Sequence, residues 1–225
     1  TKAVIFNFPH NPTGKSLFDE TFRRLVEILK KQDCYIISDE IYEKLNHDGT
    51  PHRSFGSISE LKERVITING FSKAYSMTGW RIGYLVANPS IIRTVSKIQQ
   101  HLNTNTTTFI QKGLADAMPI DEAFLQSYKN ELSKKAHYAQ DVLESHPVLK
   151  YNIPTGGLFC FLNISNSGLD SDTFSFDLLQ NKRIATTPGI GFGANWDDHI
   201  RISLATNYND FCEGIDKISE FSRNF

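Results

Sequence analysis

The sequence predicts an α/β domain followed by a smaller α+β domain. Short apolar runs alternate with segments of helical spacing in the first part of the chain, and these runs are AVIFNF (3–8), CYIIS (34–38) and RVITI (64–68). Strands in this rhythm are typical of a sheet with right-handed crossovers. After Pro147 the pattern changes to short strands separated by Gly- and Pro-rich turns. We therefore place a boundary near residue 119, between domains of residues 1–118 and 119–225.

Each element of the first domain has its own local signal. CYIIS is apolar almost throughout, so we expect a strand buried on both faces. The segment before it has apolar residues at helical spacing, and Ser16 with Asp19 resembles a capping box at its start. GYLVA (83–87) predicts a further strand, and Asn88 followed by Pro89 predicts the start of a helix.

The rest of the chain is predicted to be helical first and then mixed. Residues 89–118 are mainly helical with an interruption around 103–108, and a long helix follows Met118-Pro119. One face of the long helix carries Phe124, Tyr128, Leu132, Ala139 and Val142. Strands are predicted at LFCFLNI (158–164) and IRISLA (200–205). A final helix has in register the apolar residues Phe211, Ile215, Ile218 and Phe221.

Composition argues against several classes of function. The 225 residues include 24 basic and 25 acidic side chains, a formal charge of −1, so no strong field draws the protein to nucleic acid or to an anionic membrane. No apolar run approaches the length of a membrane span. Cys34, Cys160 and Cys212 lie far apart without a CxxC pair, which predicts reduced thiols in the cytoplasm, with neither a disulfide nor a metal site.

Polar residues follow the predicted strands at one edge of the sheet. Ligands of open α/β sheets bind beyond the carboxyl ends of the strands, where the sequence places Asn11, Asp39, Tyr42, Ser72 and Lys73. Each residue alone has a plainer explanation, since Asn11 could belong to a turn, Asp39 to a helix cap and Lys73 to the exposed surface. Together, an amide, a carboxylate, a phenol, a hydroxyl and an amine at one rim favour a binding site.

This set of groups suits pyridoxal 5′-phosphate (PLP). A lysine amine that can lose its proton forms an imine with an aldehyde cofactor. The ring nitrogen of PLP needs a carboxylate, here Asp39, so that the ring can accept electrons from a carbanion. Its phenolate oxygen needs donors such as the Asn11 amide and the Tyr42 hydroxyl. Ser72 and the guanidinium of Arg81 suit the phosphate, which an arginine binds in a bidentate manner.

Motifs across nearly the whole chain resemble those of the fold-type I PLP-dependent aminotransferases of class I/II, the aspartate aminotransferase-like group. The motifs, in the order and spacing of that family, are HNPTGK (10–15), IISDEIY (36–42), SKAYSMTGWRIGY (72–84), TPGIGFG (187–193) and RISLA (201–205). The resemblance is to the carboxyl-terminal half to two-thirds of such an enzyme. It implies a PLP-transferase large domain truncated at its amino-terminal side, a small α+β domain, and a homodimer when the protein is full length.

The resemblance implies that Lys73, Asp39 and Tyr42 act in catalysis. Lys73 would form the internal aldimine with PLP, and its released amine would move a proton between the substrate α-carbon and the cofactor. Asp39 would pair with the pyridinium. Tyr42, together with Asn11, would hold the phenolate oxygen.

The resemblance also implies residues that bind phosphate and substrate. Ser72 and Arg81 would bind the phosphate of the cofactor. Arg201, near the start of a strand in the small domain, would bind the α-carboxylate shared by amino-acid and 2-oxo-acid substrates. Outside this family, Arg201 would be interpreted as a surface arginine on an edge strand. The Asn11-Pro12 bond is implied to be cis.

The sequence departs from the family pattern at two places. Many relatives carry a phosphate-binding serine three residues before the lysine, whereas this chain has Gly70, so phosphate binding is expected to depend more on Ser72 and Arg81. The chain also lacks the family's amino-terminal portion, with its glycine-rich phosphate loop and the aromatic ring that stacks on the pyridine. We therefore expect these 225 residues alone to bind PLP weakly or not at all.

Three functions are compatible with these motifs. The first is transamination between an amino acid and a 2-oxo acid through the lysine internal aldimine. The second is a PLP-dependent lyase of the same fold, although MTGWRIGY after the lysine fits the aminotransferases better. The third is a non-catalytic aminotransferase-like effector domain, which usually has an altered NPTG turn and a DNA-binding helix-turn-helix. The sequence does not select the amino donor, since aspartate, aromatic amino acids, alanine and methionine all fit.

Overall fold

The computed structural model describes residues 1–117 and 122–225, and the chain divides into two compact units. The first unit comprises Thr1–Pro9, Leu17–Asn46 and Thr50–Gln126. The second comprises His10–Ser16, His47–Gly49 and Ser127–Phe225. The predicted boundary between residues 118 and 119 lies outside the described residues and stays a prediction.

The first unit contains a four-stranded sheet in the order β1-β2-β3-β4. The strands are β1 (Ala3–Asn7), β2 (Tyr35–Asp39), β3 (Val65–Gly70) and β4 (Gly83–Val86). The first three strands run parallel, whereas β4 is antiparallel to β3. The predicted α/β sheet is therefore confirmed, and the carboxyl ends of β1, β2 and β3 lie at the same edge of the sheet.

The core of this unit lies on one face of the sheet. Ile36 and Val65 pack there with Phe22 and Val26 of α1 (Asp19–Lys30). Side chains alternate along a strand, so Tyr35 lies on the other face, where it is 50% exposed. The prediction that the run 34–38 is buried on both faces is therefore wrong, because within the described chain only one face of β2 is covered.

The helix signals of the first unit are partly confirmed. Helix α1 begins after Phe18, and no side chain caps it, so the predicted capping box of Ser16 and Asp19 is wrong. The N–H of Ser16 instead donates to Thr155 Oγ1 (2.7 Å). The side chain of Asn88 accepts from the N–H of Ser90 (2.8 Å) and caps the next helix, as predicted. The helices that follow are α2 (Pro89–Asn103), α3 (Thr108–Ala117) and α4 (Glu122–Leu143).

The second unit contains an antiparallel sheet in the order β5-β6-β8-β7. Its strands are β5 (Lys150–Tyr151), β6 (Phe159–Asn163), β7 (Thr187–Pro188) and β8 (His199–Ser203), with helices α5 (Ser171–Lys182) and α6 (Tyr208–Ser222). The predicted apolar face of α6 is confirmed, because all four of its residues are buried. On α4, Leu132 and Ala139 are buried as predicted, whereas Phe124 is exposed. Among the described residues, no helix combines the length and the apolar character that a membrane crossing requires.

Candidate active site

Asp39 is the last residue of β2 and lies at the carboxyl edge of the parallel sheet. Its carboxylate accepts a hydrogen bond from the N–H of Ile41 (3.2 Å), and it pairs in register with Asn7 of β1. Burial raises the pKa of Asp39, while the hydrogen bonds from Ile41 and Asn7 offset part of the rise and the charge of Glu40 adds to it. A cation placed against this carboxylate would relieve the penalty of burying a negative charge.

Lys73 and Tyr42 are brought together in the first unit. Tyr42 is 5% exposed and lies in the tight turn that follows β2. Lys73 lies in the turn that follows β3, and its Nζ is 6.0 Å from the centroid of the Tyr42 ring. The amine of the half-buried Lys73 therefore lies over the Tyr42 ring, near the ends of neighbouring strands.

The phosphate candidates follow Lys73 along the same loop. Ser72 is half-buried and Arg81 is exposed, with Arg81 Nη1 donating to the carbonyl of Thr78 (3.1 Å). Arg81 adopts a left-handed conformation (φ 52°) and lies two residues before the start of β4. No described contact joins the side chains of Ser72 and Arg81, so their joint role in phosphate binding stays a prediction.

The structure explains why a glycine occupies position 70. Gly70 pairs with Gly83 across the antiparallel β3–β4 ladder. A Cβ atom at Gly70 would lie 3.0 Å from the Cα of Gly83 and 3.1 Å from the carbonyl oxygen of Ile82. A serine at this position would press against the backbone of β4, so this departure from the family pattern follows from the close approach of two strands.

In the second unit, Arg201 lies in β8 among polar and aromatic partners. Its Nη1 donates to Asn11 Oδ1 (2.9 Å), and its Nη2 donates to Thr187 Oγ1 (3.2 Å) on β7. The guanidinium carbon lies 4.1 Å from the ring centroid of Phe159 and 5.0 Å from that of Phe192. Flat aromatic faces on a guanidinium favour its charge and displace water, which strengthens a later bond to a carboxylate.

Asn11 lies in the turn HNPTGK, and the bond from Asn11 to Pro12 is cis, as the sequence resemblance implies. Since Asn11 Oδ1 accepts from Arg201, the amide nitrogen of Asn11 is turned away from the guanidinium. Asn11 therefore presents a donor, the type of group that a phenolate oxygen requires. Its place in the second unit was not apparent from the sequence, because Asn11 is only four residues beyond β1.

Sequence reasoning missed several contributors. The predictions do not include Asn7, whose amide donates to the carbonyl of Asp39, or the partners of Arg201, which are Thr187, Phe159 and Phe192. The polar end of AVIFNF was a usable signal for Asn7, since strand register places it beside Asp39. The partners of Arg201 come from distant parts of the chain, and spacing alone does not bring them together.

Solved aminotransferase structures share this fold. An aromatic aminotransferase from Pyrococcus horikoshii OT3 superposes with a TM-score of 0.94 at 33% identity, over 100% of this chain and 60% of that protein. An aspartate aminotransferase from Thermotoga maritima superposes with a TM-score of 0.88 at 33% identity, over 98% of this chain and 56% of that protein. The predicted fold class, an aminotransferase-like large domain with a small α+β domain, is confirmed.

The chain belongs to the aminotransferase class I and II family, whose model matches residues 1–218. It is 34% identical to an aspartate aminotransferase of Musicola paradisiaca over 98% of this chain and 55% of that protein. It is 37% identical to a (5-formylfuran-3-yl)methyl phosphate transaminase of Methanocaldococcus jannaschii over 98% of this chain and 58% of that protein. The chain thus spans somewhat more than half the length of these relatives. Members of this family use PLP.

The residues of the first unit fit PLP in kind. The cofactor presents a cationic ring nitrogen, an aldehyde and a phosphate, and the matching groups are a half-buried carboxylate, an amine and a hydroxyl with a guanidinium. Asp39 is the most informative of them. Burial raises its pKa because the buried negative charge is unfavourable, and a cationic partner would offset that cost. The chemistry of the donor set therefore agrees with the family.

Proposed function

We propose that this chain acts in PLP-dependent transamination between an amino acid and a 2-oxo acid. The observation that carries this proposal is the pair of strand ends in the first unit. A half-buried Asp39 ends β2, and Lys73 follows the neighbouring β3 with its amine over the Tyr42 ring. Membership in a family of aminotransferases supports the same reaction.

In this proposal the first unit holds the cofactor. Asp39 would hold the protonated ring nitrogen, Tyr42 would hold the phenolate oxygen, and Ser72 and Arg81 would hold the phosphate. When bound, PLP supplies a conjugated ring that accepts electron density from the substrate α-carbon. Lys73 Nζ would hold the aldehyde carbon of the cofactor, and it would remove and return a proton at the substrate α-carbon.

The second unit, in this proposal, binds the substrate carboxylate. Arg201 has two partners that hold its guanidinium in one plane, and two aromatic rings that limit its access to water. A guanidinium fixed in this way binds the α-carboxylate in a bidentate manner and orients the α-carbon.

The amino donor, the partner and the location belong to the proposal as well. Relatives include aminotransferases named for aspartate and for aromatic amino acids, so a panel of donors is needed rather than a single one.

We propose a homodimer in the cytoplasm, in which the three thiols stay reduced, as their separation along the sequence and their free state suggest.

A donor panel tests the reaction directly. The full-length protein is incubated with PLP, 2-oxoglutarate and each of aspartate, phenylalanine, tyrosine, alanine and methionine, and the formation of glutamate and of the new oxo acid is measured. We expect turnover with at least one donor and ping-pong kinetics. Elimination products such as ammonia and pyruvate without transfer to 2-oxoglutarate would show a lyase instead. Failure of every donor to react would overturn the proposal.

A further inference from the structure

A buried carboxylate lies directly behind Asp39. Glu40 is 3% exposed, whereas carboxylates are rarely buried unless they are paired. Its neighbour Ser38 lies on the same side of β2, as their hydrogen bond shows, so alternation along the strand places Asp39 on the opposite side. Two adjacent acids therefore point in opposite directions, one toward the proposed cofactor site and one into the core.

The carboxylate of Glu40 ties β2 to the segment that follows the first turn. Its Oε1 accepts hydrogen bonds from the hydroxyls of Ser38 (2.8 Å) and Ser54 (2.7 Å). Its Oε2 lies 3.1 Å from Nε2 of His52. Oε1 is therefore hydrogen-bonded twice and Oε2 lies beside His52, and both Ser54 and His52 come from the loop just before Phe55, which packs against β2.

The backbone of Glu40 is anchored as firmly as its side chain. Its N–H donates to the carbonyl of Ile68 (2.8 Å) on β3, and its carbonyl accepts from the N–H of Glu43 (2.9 Å). The second bond closes the tight turn that contains Tyr42. Any rotation of Glu40 would therefore move the residue before it, Asp39, and the turn after it.

We propose that Glu40, held by Ser38, Ser54 and His52, is the positioning residue that fixes the direction of the Asp39 carboxylate and of the Tyr42 turn. This inference rests on the proposed function, in which Asp39 and Tyr42 both bind PLP. Glu40 does not itself touch the cofactor in this proposal. It acts through Asp39 and Tyr42, in the way that a hydrogen-bond partner orients a ligand-binding group.

The charge of Glu40 gives the network an electrostatic effect as well. Glu40 adds to the rise in the pKa of Asp39, so a bare charge at position 40 would oppose ionisation of Asp39. Burial alone would raise the pKa of Glu40, but its contacts with His52, Ser54 and Ser38 lower the pKa below its usual value. Glu43 also faces this group, since its carboxylate lies within 4.8 Å of Glu40 and His52.

The first experiment measures the pKa of Asp39 in the cofactor-free protein by ¹³C NMR of the side-chain carboxyl groups. Glu40→Gln keeps an oxygen that accepts from Ser38 and Ser54 but removes the charge, so the pKa of Asp39 should fall. Glu60→Gln is the matched control, because Glu60 is exposed and pairs with Lys30, and it should leave Asp39 unchanged. An unmoved Asp39 pKa in Glu40→Gln would overturn the electrostatic part of the proposal.

The second experiment measures the PLP affinity of the full-length protein by absorbance titration, and its thermal stability without the cofactor. Glu40→Ala removes all three anchors and should weaken PLP binding about tenfold, a size typical for the loss of an orienting partner. Glu40→Gln should restore the affinity to within about threefold, because it keeps the acceptor oxygen. Ser54→Ala removes one anchor without changing any charge and should give an intermediate loss of PLP affinity. This variant still tests the proposal if Glu40→Ala does not fold.

The two readouts separate this inference from the proposed function. A fall in melting temperature in Glu40→Ala and Ser54→Ala with unchanged PLP affinity would mean that Glu40 is purely structural, and the positioning role would be wrong. Failure of the unmodified full-length protein to bind PLP would contradict the proposed function, while the NMR titration would still decide whether Glu40 acts on Asp39.

Discussion

The two units hold their charged site residues in different ways. In the first unit, Asp39 is the last residue of β2 and Lys73 follows the carboxyl end of the parallel strand β3, with Lys73 Nζ 6.0 Å from the Tyr42 ring centroid. In the second unit, Arg201 lies within an antiparallel strand and has a 2.9 Å bond to Asn11 and a 4.1 Å approach to the Phe159 ring. Residues at strand ends extend beyond the sheet toward a ligand, whereas a residue within a strand is oriented by its neighbours before any ligand arrives.

This difference predicts different consequences of mutation in the two units. Changes at the strand ends of the first unit should remove chemistry and leave the fold intact. Changes around Arg201 should weaken substrate binding by graded amounts, because several partners share the work of orientation. The following predictions test the contrast, from the largest expected effect to the smallest.

The largest effect is expected for Lys73. Lys73→Ala should lower turnover by at least about 10³-fold, because the group that moves the proton at the substrate α-carbon is lost. Borohydride reduction followed by peptide mass mapping should place a pyridoxyl group on Lys73 of the unmodified protein and nowhere else. Lys44→Ala, at an exposed lysine near Glu43, is the control and should keep both turnover and labelling. A pyridoxyl group on Lys44 or Lys15 would contradict the assignment.

The next effect is expected for Asp39. Asp39→Asn should keep the protein folded and lower turnover by about 10²–10³-fold, because the cofactor ring loses the charge that keeps its nitrogen protonated. Steady-state kinetics and a far-UV circular dichroism spectrum measure the two properties. Asp33→Asn, in the exposed loop before β2, is the control. Near-native turnover in Asp39→Asn would mean that the end of β2 does not face the cofactor.

A smaller effect is expected for Arg201 in the second unit. Arg201→Lys should weaken the amino acid and the 2-oxo acid alike by roughly 1.5–3 kcal/mol, because lysine replaces a bidentate pair with a single donor. The kcat/KM values for both substrates measure this loss, and the absorbance of bound cofactor should not change. Arg223→Lys, at the exposed end of α6, is the control. If only one of the two substrates is affected, Arg201 binds a side chain rather than the shared carboxylate.

Local pattern and the family resemblance predicted the architecture and the strand-end residues well. Apolar runs found the strands, and the positions after them placed Asp39 and Lys73 at neighbouring strand ends, because parallel strands share one edge. The cis bond of Asn11-Pro12 was also predicted correctly. These features are determined by short stretches of sequence and by sheet geometry.

Features that depend on distant contacts were not predictable in the same way. The place of His52 beside the buried Glu40 depends on how the 47–56 loop folds back on β2. The partnership of Arg201 with Asn11 joins residues 190 positions apart. The exposed face of β2 was not predictable for the same reason. An apolar run predicts a strand, but which of its faces is buried depends on distant parts of the chain.

The smallest effect is expected from a fall in pH, which should change the contributions of His47 and Asp39 to the stability of the fold in opposite directions. Burial lowers the pKa of His47 in the second unit to about 4, with Asp48 opposing the fall and His137 adding to it. The neutral ring therefore contributes stability above the ordinary histidine pKa of about 6.5, and this contribution is lost as the pH falls from there toward 4. Asp39 acts the other way, because its raised pKa means that acid favours the folded form.

His47→Gln tests the acid response of the second unit. The variant cannot titrate at this position, so between pH 7 and pH 5 it should lose about 1–2 kcal/mol less of its free energy of unfolding than the unmodified protein. Urea titrations of the cofactor-free protein at the two pH values measure this difference. His101→Gln on the exposed surface of α2 is the control and should follow the unmodified protein. If His47→Gln and the unmodified protein lose the same free energy of unfolding, the His47 ring is already hydrated in the folded protein. The contrast between the exposed strand ends of the first unit and the preorganised second unit would then be weaker than the contacts of Arg201 suggest.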